Sequence, residues 1–266
     1  MATVLYEKKG EIAKIRLNRP DALNAVNDEL SDELDKAMRR AIADAEVKVI
    51  ILCGNGKAFC AGFDLKQGDE HVKWIDEGKM TMWDVAEKGT AQIQELTRLQ
   101  RYPIKVVIGA VHGWAVGLGF EIVIACDLVV AAEDTKFGFP ELDAGWTITS
   151  AATKLLPAIV GLNRAKKWMF AGSGDGNWVS VDEAYHSGLV DKVVPLGQEE
   201  KVAEELAKTI MSKKWPVVLQ HKRLLNASLD CDLESMLWFE MAGLVASGAS
   251  GAAGTGIKEF IERKKR

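Results

Sequence analysis

The run Val49-Ile50-Ile51-Leu52-Cys53, closed by Gly54-Asn55-Gly56, constrains this chain more than any other segment. A continuous apolar run has no polar face, which is the pattern of a strand covered on both sides, as in a parallel sheet. Just upstream, Leu30, Leu34, Ala37, Met38, Ala41, Ile42 and Ala45 recur at helical spacing. Asn27 can cap that helix, and Asp28 and Glu29 sit beside its positive end. Residues 11–17 alternate instead, with Ala13, Ile15 and Leu17 apolar against Lys14 and Arg16, until Arg19-Pro20 ends the strand. The order is therefore β-α-β.

The cycle repeats with a helix near 85–100, a strand at Val106-Val107-Ile108, an apolar helix starting near Leu118 and a strand at Leu128-Val129-Val130. Such alternation predicts an α/β fold with crossover connections. Beyond Pro195 the pattern is wholly helical, near 198–211, 216–227, 232–247 and 256–263. We therefore divide the chain into a core over 1–195 and a C-terminal helical region over 196–266. Residues 67–84, rich in charge and carrying Trp74 and Trp83 without clear periodicity, read as a surface loop or a flap over a site.

A chain of 266 residues with 48% hydrophobic content can bury one sizeable core. Its net charge of −4 mixes both signs, and Lys264-Lys265-Arg266 is the one basic block. Nucleic acid and anionic membranes are therefore not the expected partners; a small molecule is. Cys53, Cys60, Cys126 and Cys231 lie far apart with no C-x-x-C, which suits a reducing compartment. The first ten residues lack the apolar stretch of a signal peptide, no run of about 18 apolar residues occurs, and the last three are not Ser-Lys-Leu. The expected location is the cytoplasm.

Two glycine turns follow strands. One is Ala58-Phe59-Cys60-Ala61-Gly62-Phe63-Asp64-Leu65, and the other is Gly113-Trp114-Ala115-Val116-Gly117-Leu118-Gly119-Phe120-Glu121. The second opens a helix, whose unpaired N–H groups and partial positive charge suit an anion or a developing oxyanion. If the N–H of Phe63 approaches the same point as that of Leu118, the pair forms an oxyanion hole; losing one such donor costs roughly 3 kcal/mol of transition-state stabilisation. Glu121 lies one turn inside this helix, and Glu141 follows Gly138-Phe139-Pro140 after the next strand. Two neighbouring buried carboxylates raise each other's pKa, so one can hold a proton while the other is ionised. Each feature alone also has a bland reading, as a tight turn or a surface glutamate.

Other chemistries find less support. Gly117-Leu118-Gly119 is followed by Ile122 where a dinucleotide fingerprint needs its third glycine. Neither a P-loop nor a Gly-x-Ser-x-Gly elbow is present, and His71, His112, His186 and His221 have no metal-ligand spacing.

Together these segments resemble the crotonase superfamily, the enoyl-CoA hydratase/isomerase family, across nearly the whole chain. The resemblance rests on Leu17-Asn18-Arg19-Pro20 with Leu23-Asn24-Ala25, on the segments 58–66 and 113–127, and on Phe137-Gly138-Phe139-Pro140-Glu141. Glu183-Ala184 with Gly188-Leu189-Val190, and Lys258-Glu259-Phe260, complete it. It implies a spiral of ββα units with a C-terminal helical trimerisation region, assembled as a homotrimer or dimer of trimers. It also implies coenzyme A thioester substrates, with coenzyme A entering as part of the substrate and no permanently bound cofactor.

By position, Phe63 and Leu118 match the family's oxyanion-hole residues, acting through backbone N–H, and Glu121 and Glu141 match the two catalytic glutamates of its hydratases. Coenzyme A contacts carry over to Ala25, Ala61, Asp64 and Lys66. Trp146, Phe139, Leu118 and Trp83 are candidates for the acyl pocket. The presence of both glutamates favours hydration of a 2-enoyl-CoA; isomerisation, dehydration, hydrolytic C–C cleavage and non-catalytic acyl-CoA binding remain open. Three departures stand out: Leu118 replaces the middle glycine of a Gly-Gly-Gly, Gly145-Trp146-Thr147-Ile148-Thr149-Ser150 replaces a glycine- and proline-containing stretch, and Ser173 to Asn177 carries about four extra residues, in a region expected to be a loop.

Overall fold

The computed structural model describes residues 2–102, 105–174 and 176–263; the basic tail 264–266 lies outside them. Strands β1 (Val4–Lys9) and β2 (Ile12–Leu17) pair antiparallel, and β2 pairs parallel with the apolar run β3 (Val49–Gly54). Between them α1 (Asp28–Ala43) starts where the Asn27 side chain accepts the Leu30 N–H at 3.0 Å. Its buried stripe is Leu30, Leu34, Ala37, Met38 and Ala41. Each fully buried leucine there contributes roughly 2 kcal/mol.

Three long strands are each followed by a short one: β3 by β4 (Ala58–Cys60), β5 (Val106–Val111) by β6 (Trp114–Val116), and β7 (Leu128–Ala132) by β8 (Lys136–Gly138). The long strands run β1-β2-β3-β5-β7 and end on β10 (Lys192–Val194), all parallel beyond the first pair. The short strands form a second sheet, β4-β6-β8-β9, with β9 at Val179–Ser180. Helices close each turn of this ββα spiral: α2 (Leu65–Asp76), α3 (Met82–Val85) and α4 (Ala91–Arg101) after β4; α5 (Leu118–Ile124) after β6; α6 (Ala152–Val160) and α7 (Leu162–Ala171) after β8. A π-helical segment, Ala86–Thr90, joins α3 to α4, and α8 (Val181–His186) precedes β10. The connection after α7, where the sequence suggests extra residues, is non-helical at 172–174 and 176–178.

Segment 67–84 is a correction: it is largely helical, not a loop. Asp64 caps α2 by accepting the Lys66 N–H, and Thr81 and Asp84 form a reciprocal capping box on α3. Caps start these helices even though α2 buries little beyond Gly68 and His71.

The C-terminal helices do two things. Ala203 and Ala207 of α9 (Glu199–Met211) pack with Val49, Ile51, Ile108 and Val130, so α9 covers one face of the long sheet. The Lys222 ammonium of α10 (Trp215–Ala227) is buried against the carbonyls of Gln100 (2.7 Å) and Lys105 (2.6 Å) and the Asp127 carboxylate (2.7 Å). By contrast α11 (Leu233–Ala249) exposes Leu237, Trp238, Met241, Leu244 and Val245, and α12 (Ala252–Arg263) exposes Ile257, Phe260 and Ile261. Among the described residues no helix is long and apolar enough to cross a membrane.

Candidate active site

Because β4, β6 and β8 are parallel neighbours, their carboxyl ends lie along one edge, and three chain segments leave the small sheet there. The segment after β4 bends at Gly62 and then forms a parallel bridge in which Val26 donates to the Gly62 carbonyl (2.7 Å) and accepts the Asp64 N–H (2.9 Å). In that pattern the peptide groups of Phe63 itself face away from Val26. Gly62 rests on the start of α5: a Cβ built on it would meet the Val116 carbonyl at 3.0 Å and the Leu118 nitrogen at 3.5 Å. Phe63 and the first amide of α5 are thus brought to adjoining segments. Leu118, as the first residue of α5, has no intrahelical acceptor for its N–H, and its side chain is buried.

Glu121 projects from α5 into a buried environment, only 3% exposed. Its Oε2 accepts the N–H of Ser150 at 2.5 Å, and the amides of Thr149 and Ala152 also favour its charged form. Burial is the larger influence, and with the nearby Glu141 carboxylate it pushes the Glu121 pKa up to about 7. Burial likewise raises Glu141 to about 7. Glu141 stands in the turn after Pro140, closed by the Trp146 N–H donating to the Glu141 carbonyl at 2.8 Å. A Cβ on Gly117, whose φ is 56°, would lie 2.7 Å from Glu141 Oε1, so the glycine leaves space for this carboxylate. Glu141 Oε2 is buried without a hydrogen-bond partner among the described residues.

The structure therefore brings Phe63, Leu118, Glu121 and Glu141 to one place. A sequence profile described as enoyl-CoA hydratase/isomerase matches residues 7–266. The chain belongs to the enoyl-CoA hydratase/isomerase family. The short-chain-enoyl-CoA hydratase of Clostridium acetobutylicum is 33% identical, over 98% of this chain and 95% of that protein. The crotonyl-CoA hydratase of Syntrophomonas wolfei is 30% identical, over 98% and 96% respectively. The crystal structure of enoyl-CoA hydratase from Bacillus anthracis superposes with a TM-score of 0.87 at 28% identity, covering 98% of this chain and 96% of that one. This family member is an enoyl-CoA hydratase-like enzyme of the lyase class, with the crotonase fold.

Within this enoyl-CoA hydratase/isomerase family member, the residues named for coenzyme A also gather. The Ala61 N–H donates to the Leu23 carbonyl at 3.0 Å, and Arg19 Nη1 bonds both the Ala25 carbonyl and Asp64 Oδ2. Asp64 is thus an ion-pair partner and a helix cap, while Lys66 beside it is exposed. The acyl-pocket candidates divide. Leu118 adjoins the glutamate site, and Trp146 is half-buried beside the Glu141 turn. Phe139 is fully buried, its ring 4.8 Å from that of Phe120 in the core. Trp83 stands 74% exposed on α3.

Sequence reasoning assigned no role to Asn24 or to the α4 side chains. Asn24, fully buried at φ 57°, donates to the carbonyls of Asn55 (2.9 Å) and Ala58 (2.8 Å) and accepts the Arg19 N–H at 2.8 Å. It pins the 19–25 turn to β4; its asparagine identity, favoured at positive φ, was the available signal. Gln94 and Thr97 bond the carbonyls of Thr149 and Ser150, a pairing across more than fifty residues that no local pattern announces.

Proposed function

We propose that this enzyme hydrates a 2-enoyl-CoA thioester to the 3-hydroxyacyl-CoA. The observation that carries the reading is the pair of buried carboxylates, Glu121 and Glu141, converging beside the start of α5 with both pKa values near 7. In this mechanism the thioester oxygen sits between the N–H groups of Phe63 and Leu118. These donors take up the negative charge that builds on it as water adds to Cβ, and they gain strength where water is excluded.

The two carboxylates differ in what surrounds them. Backbone amides at 149, 150 and 152 favour the anion at Glu121, whereas at Glu141 its own backbone N–H alone does so and Oε2 has no partner among the described residues. Glu121 is accordingly the base that takes a proton from the attacking water. Glu141 is the acid that delivers one to Cα, and the single proton they share is returned when product leaves and water enters. With the substrate supplying coenzyme A, Ala25, Ala61, Asp64 and Lys66 are the contacts we assign to it. No permanently held cofactor enters this scheme, and the cytoplasm is the location we assign.

Assembly as a homotrimer or dimer of trimers belongs to the same reading. Supporting it is the apolar stripe of α11, where Trp238 is 68%, Leu244 73% and Val245 69% exposed, far more apolar surface than one isolated residue presents. The test of the activity is the loss of conjugated-thioester absorbance with crotonyl-CoA and bulkier 2-enoyl-CoAs. Turnover to the 3-hydroxy ester supports hydration; binding of every ester without turnover rejects it.

A further inference from the structure

Glu121 is held by a turn that borders a cavity. The segment 149–151 lies between the carboxylate on one side and a cavity of about 470 Å³ on the other, lined in part by Gln94, Thr97, Thr149, Ala151, Lys154 and Leu155. Ala151, a non-glycine residue at φ 66°, sits in the left-handed region, a conformation that costs of order 1 kcal/mol and persists only where neighbours enforce it. The buried Ser150 side chain and the Ala151 carbonyl, which accepts the Lys154 and Leu155 N–H groups at 3.0 and 2.9 Å, hold the turn from the α6 side. From α4 come two further hydrogen bonds, the ones that reach the peptide carrying the Ser150 amide and the peptide after it: Gln94 Nε2 to the Thr149 carbonyl at 3.1 Å, and the longer contact from Thr97 Oγ1 to the Ser150 carbonyl at 3.4 Å. Those two carbonyls belong to the peptides that carry the amides of Ser150 and Ala151, so fixing the carbonyls fixes the direction of the Ser150 N–H.

We propose that Gln94 and Thr97 are positioning residues, which aim the Ser150 amide at Glu121 by holding the peptide carbonyls on the cavity side of the turn. The inference rests on the reading of Glu121 as the reacting base, and it adds a device in α4 that acts through the turn without touching substrate. α4 is itself anchored near α5, because Gln100 Nε2 donates to the Ile122 carbonyl at 2.9 Å. One rigid helix thus fixes both the base and the amides that stabilise it.

The groups that face Glu121 make the effect measurable. From the turn after β8 comes the Glu141 carboxylate; Cys60 of β4 packs its backbone and Cβ against Gly119 of α5, while its thiol, neutral because burial pushes its pKa up to about 12, contacts the Asn24 carbonyl. From α6 and α4 the cations Lys154, Arg98 and Arg101 line the cavity on the outer side of the turn. Donated amides lower the Glu121 pKa against the opposing effects of burial and Glu141. Releasing the turn therefore moves Glu121 further upward.

The experiment is a carboxyl-carbon NMR titration of Glu121, assigned by difference from Glu121→Gln, in the parent and in the double variant Gln94→Met/Thr97→Val. We expect the Glu121 midpoint to rise by roughly one pH unit, the equivalent of one charge-assisted hydrogen bond. In the hydration assay kcat near pH 7 falls about fivefold with KM little changed, as the ionised fraction of Glu121 drops. Thr97→Ser, which keeps the hydroxyl, retains the parent midpoint. A double variant with a lower Tm but an unmoved Glu121 midpoint overturns the proposal, because a purely structural role predicts that pair of results. Gln94→Met alone, at a half-buried helical site, keeps the test available if the double variant does not fold. The titration needs no turnover, so a parent inactive on enoyl-CoA rejects the hydratase reading while leaving the positioning claim to be decided by the midpoint.

Discussion

Glu141 Oε1 lies 2.7 Å from the point where a side chain on Gly117 would begin. This contact ties the turn after β8 to the entrance of α5, and it makes glycine the residue that lets carboxylate and helix start share one space. Gly117→Ala brings both a steric conflict with Glu141 and an unfavourable φ of 56°. The expected outcome is a loss of at least about 100-fold in kcat/KM, since displacing a reacting group by an ångström costs on that order. Steady-state assays with crotonyl-CoA, alongside circular dichroism to verify folding, check it.

Stability should depend on pH in an unusual direction. Both glutamates have folded-state pKa values near 7, above their ordinary value of 4.5, so the folded state binds protons more tightly than the unfolded chain. Their contribution to stability is fully present below about pH 4.5 and is lost as pH rises through 7. Glu141→Gln removes one of these groups and should raise Tm by several degrees at pH 8, with the advantage shrinking toward pH 5. Thermal scans of parent and variant at the two pH values measure the difference; an equal effect at both would contradict the assignment.

Much of this architecture is legible in the sequence. The apolar run of β3 and the helical stripe of α1 are dictated by burial on every side or on one side, and the structure buries them except at the helix end, where Ile42 is half-buried and Ala45, past Ala43, is exposed. The short strands β4, β6, β8 and β9 are not legible, because two or three residues cannot display a period. Helix α2 was hidden for another reason: its exposed positions leave no stripe, and only the Asp64 cap marks its start. At the site, the glycine turns and glutamates announce themselves in order along the chain. The hold of Gln94 on the Thr149 carbonyl depends on tertiary approach and leaves no local trace.

Lys222 should be central to the attachment of α10. Its ammonium, 2.7 Å from Asp127 Oδ2, also satisfies the carbonyls of Gln100 and Lys105, while Asp127 accepts the Val107 N–H at 2.7 Å. Lys222→Met leaves a buried carboxylate and two carbonyls without their donor, which costs about 3 to 5 kcal/mol. Denaturant unfolding with an unchanged m-value would report that loss, and Lys222→Met/Asp127→Leu should recover a substantial part of it.

The apolar face of α11 yields a prediction about mass. We expect the parent to elute at a multiple of three chains of 29.1 kDa in size-exclusion chromatography with light scattering. Leu244→Glu, at a position 73% exposed in the single chain, should shift the population toward one chain by placing a charge in the interface core. A parent that runs as a single chain would contradict the assembly.

The most direct test of the two-glutamate mechanism is kcat for crotonyl-CoA hydration at pH 7 in Glu121→Gln and Glu141→Gln, each compared with the parent under matched binding of the ester. Both variants should keep the ester's affinity within a few fold and lose at least about 100-fold in kcat, the scale of general acid–base catalysis. A variant that hydrates crotonyl-CoA at the parent rate would remove that glutamate from the reaction and contradict the mechanism.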